Sequence, residues 1–463
     1  MVKDLRKFFE PKSVVVIGAS GTPHKPGNDV IRNVLANEYG GKLYLVNPKG
    51  GEIHGIKVHR SIQELPKGID LAIIILPAEV NMRAIRDCVD HGIEYFVLAA
   101  GGFSEVDEKG KTIQEEIISV IAETGIRVLG PNTSGHTSTP HGFTSSFFPL
   151  GKIPKGNISY VNQTGNFATH TMRYIMTGEN FGVARVIGLG NKLDVDESEV
   201  LEYLVDDPHT KAIFMYLESI KHPKRFMDVA QKVTKIKPVI LLKGGRTQEG
   251  VRAALAHTAA LASDDRIVDG ALKQSGVVRI LKYSQLFQVA KALSSMPLPK
   301  GNRVSFLAPS GAMLVVLTDL CRQQLGLDVP NLEESTRKRL QEISPSYIRM
   351  RNPVDIWPAA VVKGIEYAYR EGMEAVLKDP NIDAVVPILM LTEDTGVPPL
   401  DFIVDLARKH PEKPIYVTFS GDRKYMDQAK AFLEPKGVPT YPMIEEPLET
   451  LSVLAKCQEF LTR

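Results

Sequence analysis

Short apolar runs recur along the chain, and between them the pattern loosens to the three-to-four-residue spacing of amphipathic helices. Ser13-Val14-Val15-Val16-Ile17 opens the series, and apolar runs at 42–46, 71–76, 95–98 and 127–129 continue it, with a helix predicted over 29–37. Continuous β-branched runs separated by crossovers predict a parallel sheet covered on both faces, a doubly wound α/β fold. A second series runs through 158–161, 184–187, 212–217 and 238–242, with a helix predicted over 167–176. A third has strands at 304–308, 384–389 and 414–419 and a terminal helix over 447–461. Linker-like stretches at 152–157 and 297–302 therefore divide the chain into domains 1–150, 151–298 and 299–463. The strand and turn at 304–312 echo those at 159–166, which makes the last two domains structural cousins.

Composition narrows the class. A chain of 463 residues with 43% hydrophobic and 24% charged residues has the make-up of an ordinary soluble globular protein of about three domains. A net charge of +2 gives no reason to expect nucleic acid or a membrane surface as partner. Cys88, Cys321 and Cys457 lie too far apart in sequence to pair as metal ligands, so free thiols in a reducing cytoplasm are expected, and no bound metal. The charged stretch at 1–8 lacks the apolar core of a secretory signal, and no apolar run approaches a bilayer span.

In a doubly wound sheet the ligand sits beyond the carboxyl ends of the strands. Those ends carry Gly18-Ala19-Ser20, Asn47-Pro48-Lys49, Pro77, Gly101-Gly102 and Gly130-Pro131-Asn132. Lys25 and Lys49 are placed to meet phosphates, so a nucleotide-like ligand is expected. The spacing is not that of a dinucleotide fingerprint, and Asn47 stands where an acidic residue would close the second strand, which argues against a nicotinamide oxidoreductase.

In the middle domain Gln163-Thr164-Gly165-Asn166 forms a polar turn between a strand and a helix, where backbone N–H groups and the helix dipole favour an anion. A second basic turn, Lys243-Gly244-Gly245-Arg246, precedes His257 among small residues, and Glu218 ends the strand before it. A histidine that attacks phosphorus needs one bare nitrogen and the other held as N–H by an acceptor; a carboxylate such as Glu218 supplies that.

These residues, in this order, resemble the alpha subunit of the NDP-forming acyl-CoA synthetases, the ADP-forming acetate–CoA ligases of the succinyl-CoA synthetase superfamily. The resemblance runs from about residue 14 to 387 and includes Gly101-Gly102-Phe103-Ser104-Glu105, Gly188-Leu189-Gly190-Asn191-Lys192, Tyr216-Leu217-Glu218, His257-Thr258 and Asn352-Pro353-Val354-Asp355. It implies a Rossmann-like CoA-binding domain followed by two flavodoxin-like, succinyl-CoA-synthetase-like parallel-sheet domains. It also implies a phosphohistidine at His257 supported by Glu218, with CoA held near Gly18, Ser20, Lys25, Asn47, Lys49, Pro77, Gly130 and Asn132. Phosphate would be held by Gln163, Thr164, Gly165, Asn166, Gly244 and Gly245. A small carboxylic acid is the implied substrate, and a separate ATP-grasp beta subunit, carrying ATP or ADP with Mg2+ in an α2β2 assembly, the implied partner. The alternative is a non-catalytic CoA-binding regulatory protein of the same fold. The sequence departs from the family pattern at Asn162 and Thr164, where serines are usual, at Thr133 in place of cysteine, and at Ala259 and Ser263 in place of glycines.

Overall fold

The computed structural model describes residues 4–163, 165, 170–258 and 264–463, with the backbone alone for 254–258. Contacts group the chain into two compact units, one up to Leu281 and one from Lys282 onward.

The first unit is built on two sheets. One has the order β3-β4-β2-β1-β5-β6-β7, from β1 (Ser13–Ile17), β2 (Lys42–Val46), β3 (Gly51–Ile53), β4 (Ile56–His59), β5 (Leu71–Ile74), β6 (Tyr95–Leu98) and β7 (Arg127–Leu129). All its pairings are parallel except the β3–β4 hairpin at the edge. Alternation along β1 explains the layering. Val15 and Ile17 join one core with Ala72, Ile74 and Phe96, while Val14 and Val16 face the other way. That second core is continuous with Val161, Ile187 and Ile213 of the next sheet, so the two sheets close on shared apolar surface.

The next sheet has the order β14-β13-β12-β10-β11-β8-β9. Its strands are β8 (His136–Ser138), β9 (Phe143–Thr144), β10 (Lys155–Asn162), β11 (Val183–Gly188), β12 (Ala212–Leu217), β13 (Val239–Lys243) and β14 (Val278–Ile280). The antiparallel edge strands β8 and β9 fall before residue 150, and β10 starts at Lys155, inside the stretch whose composition predicts a linker. Lys-Gly-Asn has poor strand propensity. It is recruited by pairing, through register shifts against Val183 that bend the start of β10. The predicted helix over 167–176 is observed as Met172–Gly178, with residues 166–169 outside the described set.

Arg127 ties the two sheets together. Only 6% exposed, it donates to Asp194 Oδ2 at 2.8 Å and to Glu199 Oε2 at 2.6 Å, and Asp194 also accepts the Val128 N–H. Burial works against its charge, but the two carboxylates more than restore it, and the guanidinium is held above its ordinary range. Arg127→Met is expected to destabilise the unit by about 3–5 kcal/mol, because two acids lose their buried counter-charge. Denaturant unfolding checks this, and a change below about 1 kcal/mol would show the network to be dispensable.

The second unit carries β15 (Val304–Ala308), β16 (Val354–Asp355), β17 (Ala384–Leu391), β18 (Val417–Gly421) and β19 (Thr440–Tyr441) in the order β16-β15-β17-β18-β19, all parallel. The helix Gln285–Ser295 groups with this unit rather than with the residues before it. Gln288 Nε2 donates to Glu446 Oε1 at 2.7 Å, and Lys291 lies 3.1 Å from Glu434 in a buried ion pair. Among the described residues no helix is long and apolar enough to cross a membrane.

Candidate functional site

Two clusters form at the strand ends of the first unit. In the first sheet, Gly18, Ser20, Lys25 and Pro77 line a cavity of about 300 Å³ together with Gly27, Ala99 and Phe147. Gly18 has a φ of +93°, and a Cβ there would collide with the Ile75 carbonyl, so glycine is required where the chain turns out of β1. Lys25 precedes the helix Pro26–Ala36, whose first turn opens at the cavity, with Pro26 preset for the first helical position. Asn47 braces this turn by donating from Nδ2 to the Ala19 carbonyl at 2.8 Å, and its Oδ1 accepts the Lys49 N–H. Lys49 is exposed on the turn after β2. Gly130 and Asn132 lie at the end of β7, where Asn132 N–H donates to the Ala100 carbonyl at 2.8 Å.

The second cluster surrounds Glu218. Its backbone N–H donates to Gln163 Oε1 at 2.9 Å and its carbonyl accepts from Lys243 Nζ at 2.6 Å, while its carboxylate takes a 3.2 Å bond from the Tyr216 hydroxyl. Gln163 Oε1 also accepts the Ser219 N–H at 3.0 Å, and Gln163 Nε2 donates to Ser219 Oγ at 3.0 Å. The ends of β10, β12 and β13 are thereby stitched by side chains beyond the last ladder bond. Gly244 packs against Tyr216 and Glu218, and Gly245, at a φ of +67°, turns the chain toward the helix Gln248–Thr258.

Gln163, Gly165, Glu218, Gly244 and Gly245 are thus brought to one end of one sheet. His257 lies on the helix that follows, but its side chain is outside the described residues, as are Thr164, Asn166, Ala259 and Ser263.

Sequence reasoning missed two buried cations here. Lys192 is 4% exposed and Lys243 5%. Lys192 Nζ lies 3.0 Å from Glu197 Oε2 and donates to the Ser219 carbonyl at 2.9 Å, with Gln163 Oε1 at 3.4 Å. Burial lowers the pKa of both ammonium groups, in Lys243 reinforced by Arg279 and in Lys192 opposed by Glu197. Their positive charge sits under the Glu218 turn, where it would favour an anion. The hint in the sequence is that both adjoin glycine turns at strand ends, Lys192 after the turn that follows β11 and Lys243 as the last residue of β13.

The match to known families follows the same division. A CoA-binding domain model covers residues 12–138 and a succinyl-CoA-ligase-like flavodoxin domain model residues 155–293. An alpha subunit of acetate–CoA ligase (ADP-forming) II from Pyrococcus furiosus is 36% identical over 443 residues, spanning 95% of this chain and 94% of that one. The chain belongs to the ADP-forming acetate–CoA ligase family. A second member, acetate–CoA ligase (ADP-forming) II of Archaeoglobus fulgidus, is 36% identical over 464 residues, but there the match takes up only 68% of the relative's length. In structure, the dinucleotide-forming acetyl-coenzyme A synthetase 1 of Candidatus Korarchaeum cryptofilum, solved with phosphate and ADP, superimposes with a TM-score of 0.91 at 31% identity, covering 99% of this chain and 98% of that one. The family is therefore one of acid–thiol ligases, and the first sheet carries its CoA-binding domain.

Proposed function

We propose that this chain is the alpha subunit of an ADP-forming acyl-CoA synthetase, interconverting acid, CoA and ATP with acyl-CoA, ADP and phosphate through acyl phosphate and phosphohistidine. In this reading residues 1–150 hold CoA, 151–298 carry the phosphohistidine, and 299–463 form the second flavodoxin-like domain. In the ATP-forming direction, phosphate oxygen attacks the thioester carbon and CoA leaves with its sulfur. An imidazole nitrogen of His257 then attacks the phosphorus of the acyl phosphate, and the carboxylate leaves. Phosphohistidine finally passes the phosphoryl group to ADP.

The observation that best supports this is the bracing of Glu218 by Gln163, Tyr216 and Lys243. A carboxylate that must orient an imidazole and meet its developing charge gains from being fixed before the reaction. Gly165, Gly244 and Gly245, with Thr164 and Asn166, are assigned to the phosphate; Lys192 and Lys243 supply the surrounding positive charge. A separate ATP-grasp beta subunit, in an α2β2 assembly, is the proposed partner. The metal-bound nucleotide falls to that subunit, and cytoplasmic residence is the proposed setting.

The reading is tested by incubating the chain and its copurified partner with γ-labelled ATP. Acid- and heat-labile label on this chain supports it. Absence of label together with measurable CoA binding would favour the non-catalytic alternative. Lys25→Ala and Lys49→Ala are each expected to weaken CoA binding about 3- to 10-fold, the loss of one charge-assisted contact, while label uptake stays unchanged. Titration calorimetry with CoA at two salt concentrations checks this. Unaltered affinity in both variants would remove these lysines from the CoA site.

A further inference from the structure

Beside the Gln163 turn, two polar side chains are sealed from solvent without an answering group. Asn162, the last residue of β10, is 1% exposed, and neither its Oδ1 nor its Nδ2 has a hydrogen-bond partner among the described residues. Ser134, 2% exposed, has an Oγ in the same condition. Buried polar atoms are seldom left so, because the loss of hydration is not returned.

The two belong to one place. Asn162 is in register with Gly188 of β11, so their Cβ directions share a face of the sheet. A Cβ built on Gly188 would lie 3.0 Å from Ser134 Oγ and 2.6 Å from Thr133 Oγ1. Ser134 Oγ therefore lies over Gly188, the residue paired with Asn162. Gly165 also approaches, its Cβ direction 3.8 Å from Ser134 Cβ. Thr133, by contrast, is already committed, donating to the Gly188 carbonyl at 2.6 Å.

Position gives these atoms a task. The segment 130–135 runs from the end of β7, in the CoA-binding sheet, to β8 in the sheet that carries Glu218. In the proposed reaction the acyl moiety passes from a thiol held by the first sheet to a phosphate held by the second, and residues 130–135 join those two sheets.

We infer that Asn162 and Ser134 hold the acyl part of the substrate, and that the preferred acid carries a hydroxyl on its chain. This rests on the acyl-CoA synthetase reading given above. The chemistry matches atom for atom. An amide offers one acceptor and two donor hydrogens, and a serine hydroxyl offers both functions. A substrate hydroxyl donates to Asn162 Oδ1 and accepts from Asn162 Nδ2 or Ser134 Oγ. A plain alkyl chain answers none of the three, and sites built to bond a substrate hydroxyl reject the analogue that lacks it.

The test uses the chain reconstituted with its partner subunit and pairs of acids of equal length, lactate against propionate and 3- or 4-hydroxybutyrate against butyrate. The wild type is expected to favour one hydroxy acid over its deoxy partner by at least about 10-fold in kcat/KM. Asn162→Leu, which keeps the branched shape without the polar atoms, and Ser134→Ala are expected to erase most of that ratio through the KM for the acid, with the KM for CoA and the labelling of His257 within about 2-fold. Should Asn162→Leu fail to fold, Ser134→Ala carries the comparison alone. A wild-type preference for the deoxy acids, or a ratio unmoved by substitution, overturns the assignment and leaves an enclosed water as the partner of these atoms. Saturation-transfer NMR of the same acid pairs reads their binding without turnover. A chain that takes no label but still binds the hydroxy acid through Asn162 would sink the phosphohistidine relay and not this assignment.

Discussion

His257→Ala is expected to abolish incorporation of label from acyl phosphate or ATP, to below about one thousandth of the wild-type rate, while CoA binding is retained. The size follows from the role. In the proposed relay the imidazole nitrogen is the atom to which phosphorus is bonded, and alanine offers no substitute nucleophile. Retention of CoA follows from the fold, because the cavity at Gly18, Ser20 and Lys25 belongs to the first sheet, whereas His257 lies on the helix after β13 of the second. Rapid-quench labelling with gel autoradiography reads the first quantity and calorimetry the second. Label persisting in the variant would place the phosphoryl acceptor elsewhere and end the relay.

Glu218→Gln is expected to slow labelling by about 10- to 1000-fold, again with CoA affinity intact, since one electrostatic partner of the transition state is lost. The substitution is nearly isosteric, so the backbone bonds from Gln163 and Lys243 to residue 218 need not change. A parallel loss of CoA affinity, or a fall in thermal stability large enough to account for the rate, would mean that Glu218 holds the turn rather than serving the imidazole. Gln163→Leu provides the comparison. It removes the acceptor of the Glu218 and Ser219 N–H groups and is expected to reduce labelling while the carboxylate remains.

The sheets were legible because their central strands are buried on both faces and leave near-continuous apolar runs; Leu71–Ile74 and Ala212–Leu217 are examples. The short hairpin strands at the margins of the two sheets write no such signature. Gly51–Ile53, Ile56–His59, His136–Ser138 and Phe143–Thr144 are two to four residues long and draw their order from a neighbour. The glycine turns and Glu218 could be placed at strand ends from sequence alone, since chain order fixes which end of a parallel strand they occupy. What Gln163 does could not. It reads as one more polar turn residue, yet its amide oxygen is taken up by the backbone N–H groups of Glu218 and Ser219, just past the end of β12. Lys192 and Lys243 were hidden for a related reason, because a lysine in a polar turn or at a strand end is ordinarily solvated, and only tertiary packing encloses these two.

The crossing of residues 130–135 into the antiparallel edge β8–β9 bears on how such enzymes can be recombined. Trading the CoA-binding module for a relative's by a cut near residue 150 would carry off two strands of the neighbouring sheet and, with Arg127, the counter-charge of Asp194 and Glu199. A chimera with its junction there closes the sheet edge and pairs the two acids only where the incoming module supplies matching strands and a cation in place of Arg127. Crossovers in the exposed part of 282–284, ahead of the helix Gln285–Ser295, leave both units whole and are where shuffled genes should yield soluble hybrids.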